Sequence, residues 1–358
     1  VVGAAGIGRV TVIAEGGQPG VDLAGLDLQT LLHGDNTDQH FADLVRHYAR
    51  VAISGAVPKF IAPELSAQAE SIGKPTLRTS KYIIKGSDET TPYLGFNEHY
   101  SMRVLARLNV ARVANTTMSD DGRVLIVDRF DVDEAGRPAF GVEDACSLLG
   151  YPPHEKYRPT TEQVLSATRA YILDTTLWRE QANQLGWQIL TNYVTRNADC
   201  HSKNIALVYS TVGDVRYTPA FDIVTTQAYP RFAHNPPGLK VEGRQTWAPG
   251  STLEKFFNTR LGIPPKRYRE MVEALCDSAV SVGREIVEAS KNESRWHWVG
   301  KQMLHAWNEG MCSLRSAKPQ AALKGLTPVL EAAGFSDADK AESTRTTIGR
   351  IGDACCAA

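Results

Sequence analysis

The sequence predicts an α+β chain in two lobes, a small sheet-bearing lobe over residues 1–131 followed by a larger helical lobe over 132–358. Three observations carry that prediction. Up to about residue 135 the apolar residues fall in short strand-like runs with one clear helix between them. Beyond it they recur at spacings of three and four, the period of an amphipathic helix. The changeover lies at Asp128-Arg129-Phe130-Asp131. With 358 residues, 42% hydrophobic and 22% charged, the composition is that of an ordinary globular protein with about two domains' worth of chain.

Each element follows from local chemistry. Arg9 to Ala14 alternates and predicts a strand, and Lys81 to Lys85 predicts a second after the turn-rich Gly73-Lys74-Pro75. Asn97 is placed to cap a helix whose apolar residues Tyr100, Val104, Leu105 and Leu108 share one face. Val113 to Met118 and Val124 to Val127 flank Ser119-Asp120-Asp121-Gly122, a hairpin signal. Trp178, Ala182, Leu185, Ile189 and Tyr193 mark a long helix ending at Arg196-Asn197-Ala198-Asp199. Ile205 to Tyr209 and Val215 to Thr218 predict a second hairpin about Thr211-Val212-Gly213-Asp214. Gln227 to Ser251, rich in Pro, Gly, Asn and aromatics, reads as a long functional loop. Met271, Leu275, Val282 and Ile286 begin helices expected to run to the end.

Charge and cysteine usage narrow the function classes. Lys plus Arg is 39 and Asp plus Glu is 40, a balance that argues against a protein working as a polycation on nucleic acid or an anionic membrane. No apolar run approaches the roughly 18 residues of a membrane-spanning helix. The six cysteines form neither a disulfide framework nor a C-x-x-C pair, which points to a reducing, cytoplasmic compartment. Cys355 and Cys356 read as tail residues. Gly3, Gly6 and Gly8 precede the first predicted strand rather than follow it, so the mechanism of a dinucleotide fingerprint is missing. The start at Val1 leads us to expect a trimmed or partial chain.

The chemistry concentrates in Asn197-Ala198-Asp199-Cys200-His201-Ser202-Lys203-Asn204 and, beyond the second hairpin, Ala220-Phe221-Asp222. Phosphoryl transfer from a nucleotide needs a carboxylate beside the attacking hydroxyl and hard oxygen ligands for magnesium. Asp199, Asn204 and Asp222, at the ends of a hairpin, converge to supply them. Lys203 between them is placed to neutralise charge on the transferring group. Upstream, Ile53-Ser54-Gly55-Ala56-Val57-Pro58-Lys59 is a Gly-containing turn whose backbone N–H groups could meet phosphates. Lys85 on a strand and Glu98 in the first turn of the next helix match a phosphate-contacting lysine and its orienting glutamate. Adenine and ribose would bind at the seam, near Asp128, Phe130 and Asp131.

In this order, Ser54-Gly55-x-x-Pro58-Lys59, Ile83-Ile84-Lys85, Arg129-Phe130-Asp131, Asn197-x-Asp199-x-His201-x-Lys203-Asn204 and Pro219-x-Phe221-Asp222-Ile223 resemble the HipA-type serine/threonine kinases, bacterial toxins of toxin–antitoxin modules. The segments Val142 to Cys146 and Glu155-Lys156-Tyr157 look like theirs too, and the likeness covers roughly residues 50 to 230. The resemblance implies a two-lobed protein-kinase-like fold using ATP and Mg2+. It implies Asp199 as catalytic base, Asn204 and Asp222 as magnesium ligands, Lys85 on phosphate and Asp131 on ribose. His201, a candidate at the cofactor site, reads on its own as a structural histidine bracing the catalytic loop. It also implies an aminoacyl-tRNA synthetase as substrate class, an antitoxin partner and a self-phosphorylated loop serine. Val57 stands where the family usually has Gln. Ala52 stands where the best-known members carry the phosphorylated serine, leaving Ser54 as the candidate, and Asp128 replaces a frequent Glu. The short start resembles compact toxins that leave the N-terminal subdomain to a separate protein.

Two rival readings stay open at this point. One is a small-molecule phosphotransferase of kinase-like fold, although no acidic cluster for a cationic antibiotic is evident. The other is a catalytically silent kinase-like binding module, disfavoured by the joint presence of Asp199, Asn204 and Asp222.

Overall fold

The computed structural model describes residues 27–44, 74–315 and 326–334. The expected strand Arg9–Ala14 and the loop residues Ser54, Gly55 and Lys59 lie outside the described residues. In chain order the elements are α1 (Leu28–His33), β1 (Thr76–Arg78), β2 (Tyr82–Gly86), α2 (Leu94–Ala106), β3 (Thr116–Met118), β4 (Val124–Asp128) and β5 (Gly141–Asp144). There follow α3 (Ala145–Leu148), α4 (Thr161–Arg169), α5 (Thr175–Val194), β6 (Ala206–Tyr209), β7 (Arg216–Tyr217), α6 (Gly250–Phe256), α7 (Pro265–Asn292), α8 (His297–Arg315) and α9 (Thr327–Ala332). Two small antiparallel sheets, ordered β1-β2-β4-β3 and β5-β6-β7, accompany a larger helical part. Fold class is as the sequence predicts.

In the first sheet, side chains alternate between two apolar layers. Ile84 is paired with Ile126 and joins Val124, Leu77, Leu31 and Phe41 on one face. Lys85 is paired with Leu125, which faces the other layer together with Val127, Leu94, Phe96 and Leu105. Strand periodicity therefore turns Lys85 toward α2, the helix that carries Glu98. The β3–β4 turn closes as expected, Gly122 at φ 70° donating to the Ser119 carbonyl at 2.8 Å.

Two expectations change. Helix α2 begins at Leu94, one turn before Asn97, so Asn97 is not its cap. Its first turn is held from outside: the Leu94 N–H donates to Ser87 Oγ at 2.9 Å and the Phe96 N–H to the Gly122 carbonyl at 2.9 Å. The buried Asn97 amide instead exchanges two hydrogen bonds with the Thr225 backbone, at 3.0 and 2.8 Å. The second hairpin is also one strand wider than expected, because β5 pairs with β6 from Gly141↔Tyr209 to Asp144↔Ala206.

The segment after α2 is tied to the approach of Asp222. Ala114 N–H donates to the Ala220 carbonyl at 2.9 Å, and Ala220 N–H to the Arg112 carbonyl at 2.8 Å. Helices α5, α7 and α8 pack round Trp187, Trp307, Met303 and Leu275. Where α8 crosses the end of α5, a Cβ on Gly310 would stand 2.2 Å from the Val194 carbonyl oxygen and 2.6 Å from that of Tyr193. Backbone cannot retreat as a side chain can, so Gly310→Ala is expected to cost roughly 1–3 kcal/mol or more. Thermal unfolding checks this, and an unchanged melting temperature contradicts it. Among the described residues no helix is long and apolar enough to cross a membrane.

Candidate active site

Helix α5 delivers the catalytic-type loop. Arg196 takes a left-handed φ of 54° just past the helix end, turning the chain, and Asn197 N–H bonds back to the Asn192 carbonyl at 2.9 Å. The Asn197 side chain then organises the loop beyond it. Its Nδ2 donates to Asn192 Oδ1 at 2.8 Å and to the Asp222 carbonyl at 3.2 Å, while its Oδ1 accepts from the Asp199 N–H at 3.1 Å. Thr226 Oγ1 accepts from Ala198 N–H and donates to the Arg196 carbonyl, both at 2.8 Å. Beneath, the Gln227–Ser251 segment comes close enough that a Cβ on Gly238 would lie 2.5 Å from the Cys200 carbonyl oxygen.

Asp199 and Asn204 meet as their spacing predicts. A one-turn helix over Ser202–Asn204 brings Asn204 Nδ2 to the Asp199 carbonyl at 3.1 Å. That bond uses one of the two amide N–H donors, and Oδ1 is the atom able to ligate a cation. Asp222, at φ 60°, holds a conformation that Asp tolerates better than most side chains. Its Oδ1 accepts from Lys85 Nζ at 2.8 Å and from Lys74 Nζ. Lys85 also reaches Glu98 Oε1, and Lys74 reaches Glu98 Oε2 at 3.3 Å. Two ammonium groups and two carboxylates thus form one closed cluster, with the Glu98 side chain fully buried. Burial by itself would raise the Asp222 carboxyl, but Lys74 and Lys85 outweigh it and hold it well below the usual carboxylate range.

Around Asp199 the balance is opposite. Burial pushes its carboxyl up against the opposing pull of Lys156 and Lys74. The Tyr157 hydroxyl donates to Asp199 Oδ1. His201 is buried and kept neutral chiefly by desolvation, then by Lys156, and its ring meets Tyr157 edge-on at 5.1 Å. That ring contact sets His201 against Tyr157 beside Asp199.

Two residues differ from expectation. Lys203 pairs with Asp144 Oδ2, and the other oxygen of Asp144 caps α3 at Ser147 N–H, 2.9 Å. Its charge therefore ties the loop to the end of β5. Asp131 is almost fully covered, and its two oxygens accept from Arg129 Nε at 3.0 Å and Nη2 at 2.6 Å. The ion pair holds that carboxylate against Arg129. Phe130 does reach the site, its ring 5.7 Å from that of Phe221 beside Asp222. Asp128 ends β4 exposed, 3.3 Å from Asn115 Nδ2.

Sequence reasoning missed Lys74, Lys156 and Tyr157. Lys74 stands in a Gly-Lys-Pro turn that resembles any surface turn, whereas Lys156 and Tyr157 lie in a segment whose family likeness was the available signal. Among the described residues no group of three or more His, Cys, Asp or Glu could hold a metal ion. Magnesium needs no such group, since one or two side-chain oxygens plus phosphates and water complete its octahedron. Asn204 Oδ1 and the Asp222 carboxylate are of that kind.

Among known proteins, a Haemophilus influenzae protein named "Putative kinase" is 24% identical over 233 residues, 59% of this chain and 63% of that protein. "Putative kinase Y4mE" of Sinorhizobium fredii is 28% identical over 248 residues, 65% of this chain and 57% of that protein. The matched region thus spans about three fifths of the length of each relative. A chain from the Shewanella oneidensis MR-1 toxin–antitoxin complex of HipA, HipB and operator DNA shares the fold with a TM-score of 0.54. It is 20% identical, with 88% of this chain and 79% of that chain covered. The family model of the HipA-like C-terminal domain matches residues 51–282, close to two thirds of the sequence. The chain belongs to the HipA-like C-terminal domain family.

Proposed function

We propose that this chain is an ATP- and magnesium-dependent serine/threonine protein kinase, the toxin of a toxin–antitoxin module. The observation that carries the reading is the convergence of Asp199, Asn204 and Asp222 beside the Lys85–Glu98 pair. Magnesium-bound ATP supplies the transferable phosphoryl group and the divalent charge on its phosphates. Asn204 Oδ1 and Asp222 hold the metal. Lys85, fixed by Glu98, presents its ammonium to phosphate. Asp199 receives the acceptor hydroxyl and takes its proton. Lys203 anchors the loop through Asp144 rather than facing the phosphoryl group. A nucleotide would be held at the seam near residue 131, where Phe130 could meet its base, and Ser54, Gly55 and Lys59 are the loop residues proposed for its phosphates.

Family membership supports the further parts of the proposal: a cytoplasmic protein substrate of the aminoacyl-tRNA synthetase class, an antitoxin, and self-phosphorylation at Ser54. The test is incubation with γ-labelled ATP and magnesium, alone and with bacterial lysate. Label on serine or threonine of the chain or of one lysate protein is expected. Label confined to small molecules favours a small-molecule phosphotransferase, and ATP binding without any transfer favours a silent module.

A further inference from the structure

We propose that Lys74 gates the metal carboxylate: with Lys85 it neutralises Asp222, and so keeps a divalent cation off that side chain until a nucleotide brings negative charge of its own. The inference rests on the reading of Asp222 as a magnesium ligand and deepens it, by naming what couples metal to nucleotide.

Sheet register puts Lys74 there. Thr76 stands opposite Lys85 across the β1–β2 ladder, so the two share a face, and Lys74, two residues before Thr76, falls on the same side. Both ammonium groups end on one atom, Asp222 Oδ1, and both also reach Glu98. Two ammonium groups against two carboxylates make the cluster neutral. A divalent cation arriving alone would add two charges beside like charges that are already matched. On Oδ1 it would have to displace an ammonium, and on Oδ2 it would stand across one carboxyl group from both. A triphosphate changes the balance, because its negative charge offsets the excess. Of the two lysines, Lys74 is the one placed to yield. Lys85 lies on β2, paired on both sides by β1 and β4, whereas Lys74 precedes the edge strand β1 and meets Glu98 at 3.3 Å. A lysine needed only to neutralise Glu98 would not reach Asp222 as well. At about 4 Å, a unit charge repels a divalent ion enough to change its affinity more than about tenfold, even at the dielectric of water.

The experiment titrates Mn2+, followed by the paramagnetic resonance signal of the free ion, into the full chain and its Lys74→Met, Lys74→Gln and Lys74→Arg variants without nucleotide. Loss of the ammonium in the Met and Gln variants is expected to tighten Mn2+ binding about ten- to a hundredfold, while Lys74→Arg keeps the weak binding of the unaltered chain. A non-hydrolysable ATP analogue should raise the Mn2+ affinity of the unaltered chain. That gain should shrink in Lys74→Met by about the factor by which binding alone has tightened. Mn2+ binding indifferent to all three variants, or equally tightened by Lys74→Arg, overturns the gate. So does weaker nucleotide binding in Lys74→Met with Mn2+ binding unchanged, which makes Lys74 a phosphate contact. Should the Met and Gln variants fail to fold, the unaltered chain decides: Mn2+ binding as tight alone as with the analogue overturns the proposal, and binding that needs the analogue upholds it. Asp222→Asn separates the two readings. Mn2+ binding by Lys74→Met that survives Asp222→Asn puts the metal elsewhere and sinks Asp222 as its ligand, whereas binding lost in Asp222→Asn but indifferent to Lys74 sinks only this inference.

Discussion

Asp199→Asn is expected to lower phosphoryl transfer by about a hundred- to ten-thousandfold, the range that a positioned general base contributes. The amide keeps the shape of the carboxylate and can still accept at its remaining oxygen, but it cannot take a proton from the acceptor. Nucleotide affinity should hold, because Lys85, Glu98 and Asp222 are hydrogen-bonded to one another, and Asn197 ties the Asp222 carbonyl to the loop backbone at Asp199. Transfer of labelled phosphate and fluorescent-nucleotide titration, run on one preparation, separate the two. Retained transfer, or lost binding with a native melting temperature, rejects Asp199 as the base.

Removing Glu98 strikes at stability instead. The cluster is neutral as two lysines against two carboxylates, and Glu98 is its fully buried anion. Glu98→Ala leaves Lys74 and Lys85 sharing Asp222 alone, with a surplus positive charge inside the fold. Breaking a buried pair from one side costs about 3–5 kcal/mol. Denaturant unfolding should show that loss, while Glu98→Gln, which keeps hydrogen-bonding atoms at the same place, should lose less. Lys74→Met in the Glu98→Ala background should restore part of the stability by removing the surplus charge. If Glu98→Ala unfolds at the same denaturant midpoint, the cluster is not holding the fold.

The fold was legible wherever its determinants are local. Strand β2 and the β3–β4 turn follow from a short strand-like run after a turn and from Gly122, and α5 from its apolar face. Strand β5 was not legible: Gly141-Val142-Glu143-Asp144 shows no alternating apolar pattern and gains its identity from a partner more than sixty residues downstream. The start of α2 was missed for a related reason, since its first N–H groups are satisfied by Ser87 and Gly122 rather than by a neighbouring cap. Within the site, Asp199 and Asn204 were readable because one helical turn joins them. The role of Lys74 was not, for its two carboxylate partners lie 24 and 148 residues away. The Arg129–Asp131 pair is local, yet a charged couple two residues apart gives no sign in sequence of whether it closes on itself or opens to a ligand.

The backbone exchange among Arg112, Ala114 and Ala220 bears on movement. It joins the chain leaving α2 to a point two residues before Asp222, and Asn97 fastens α2 to Thr225 three residues after it. Were the first sheet to rotate against the helical part, these ties would be its axis, since displacing them would break paired backbone groups. Displacement grows with distance from an axis. Lys85, Glu98 and Asp222 lie close to these ties, so a rotation about them would leave the spacing of the three side chains unchanged.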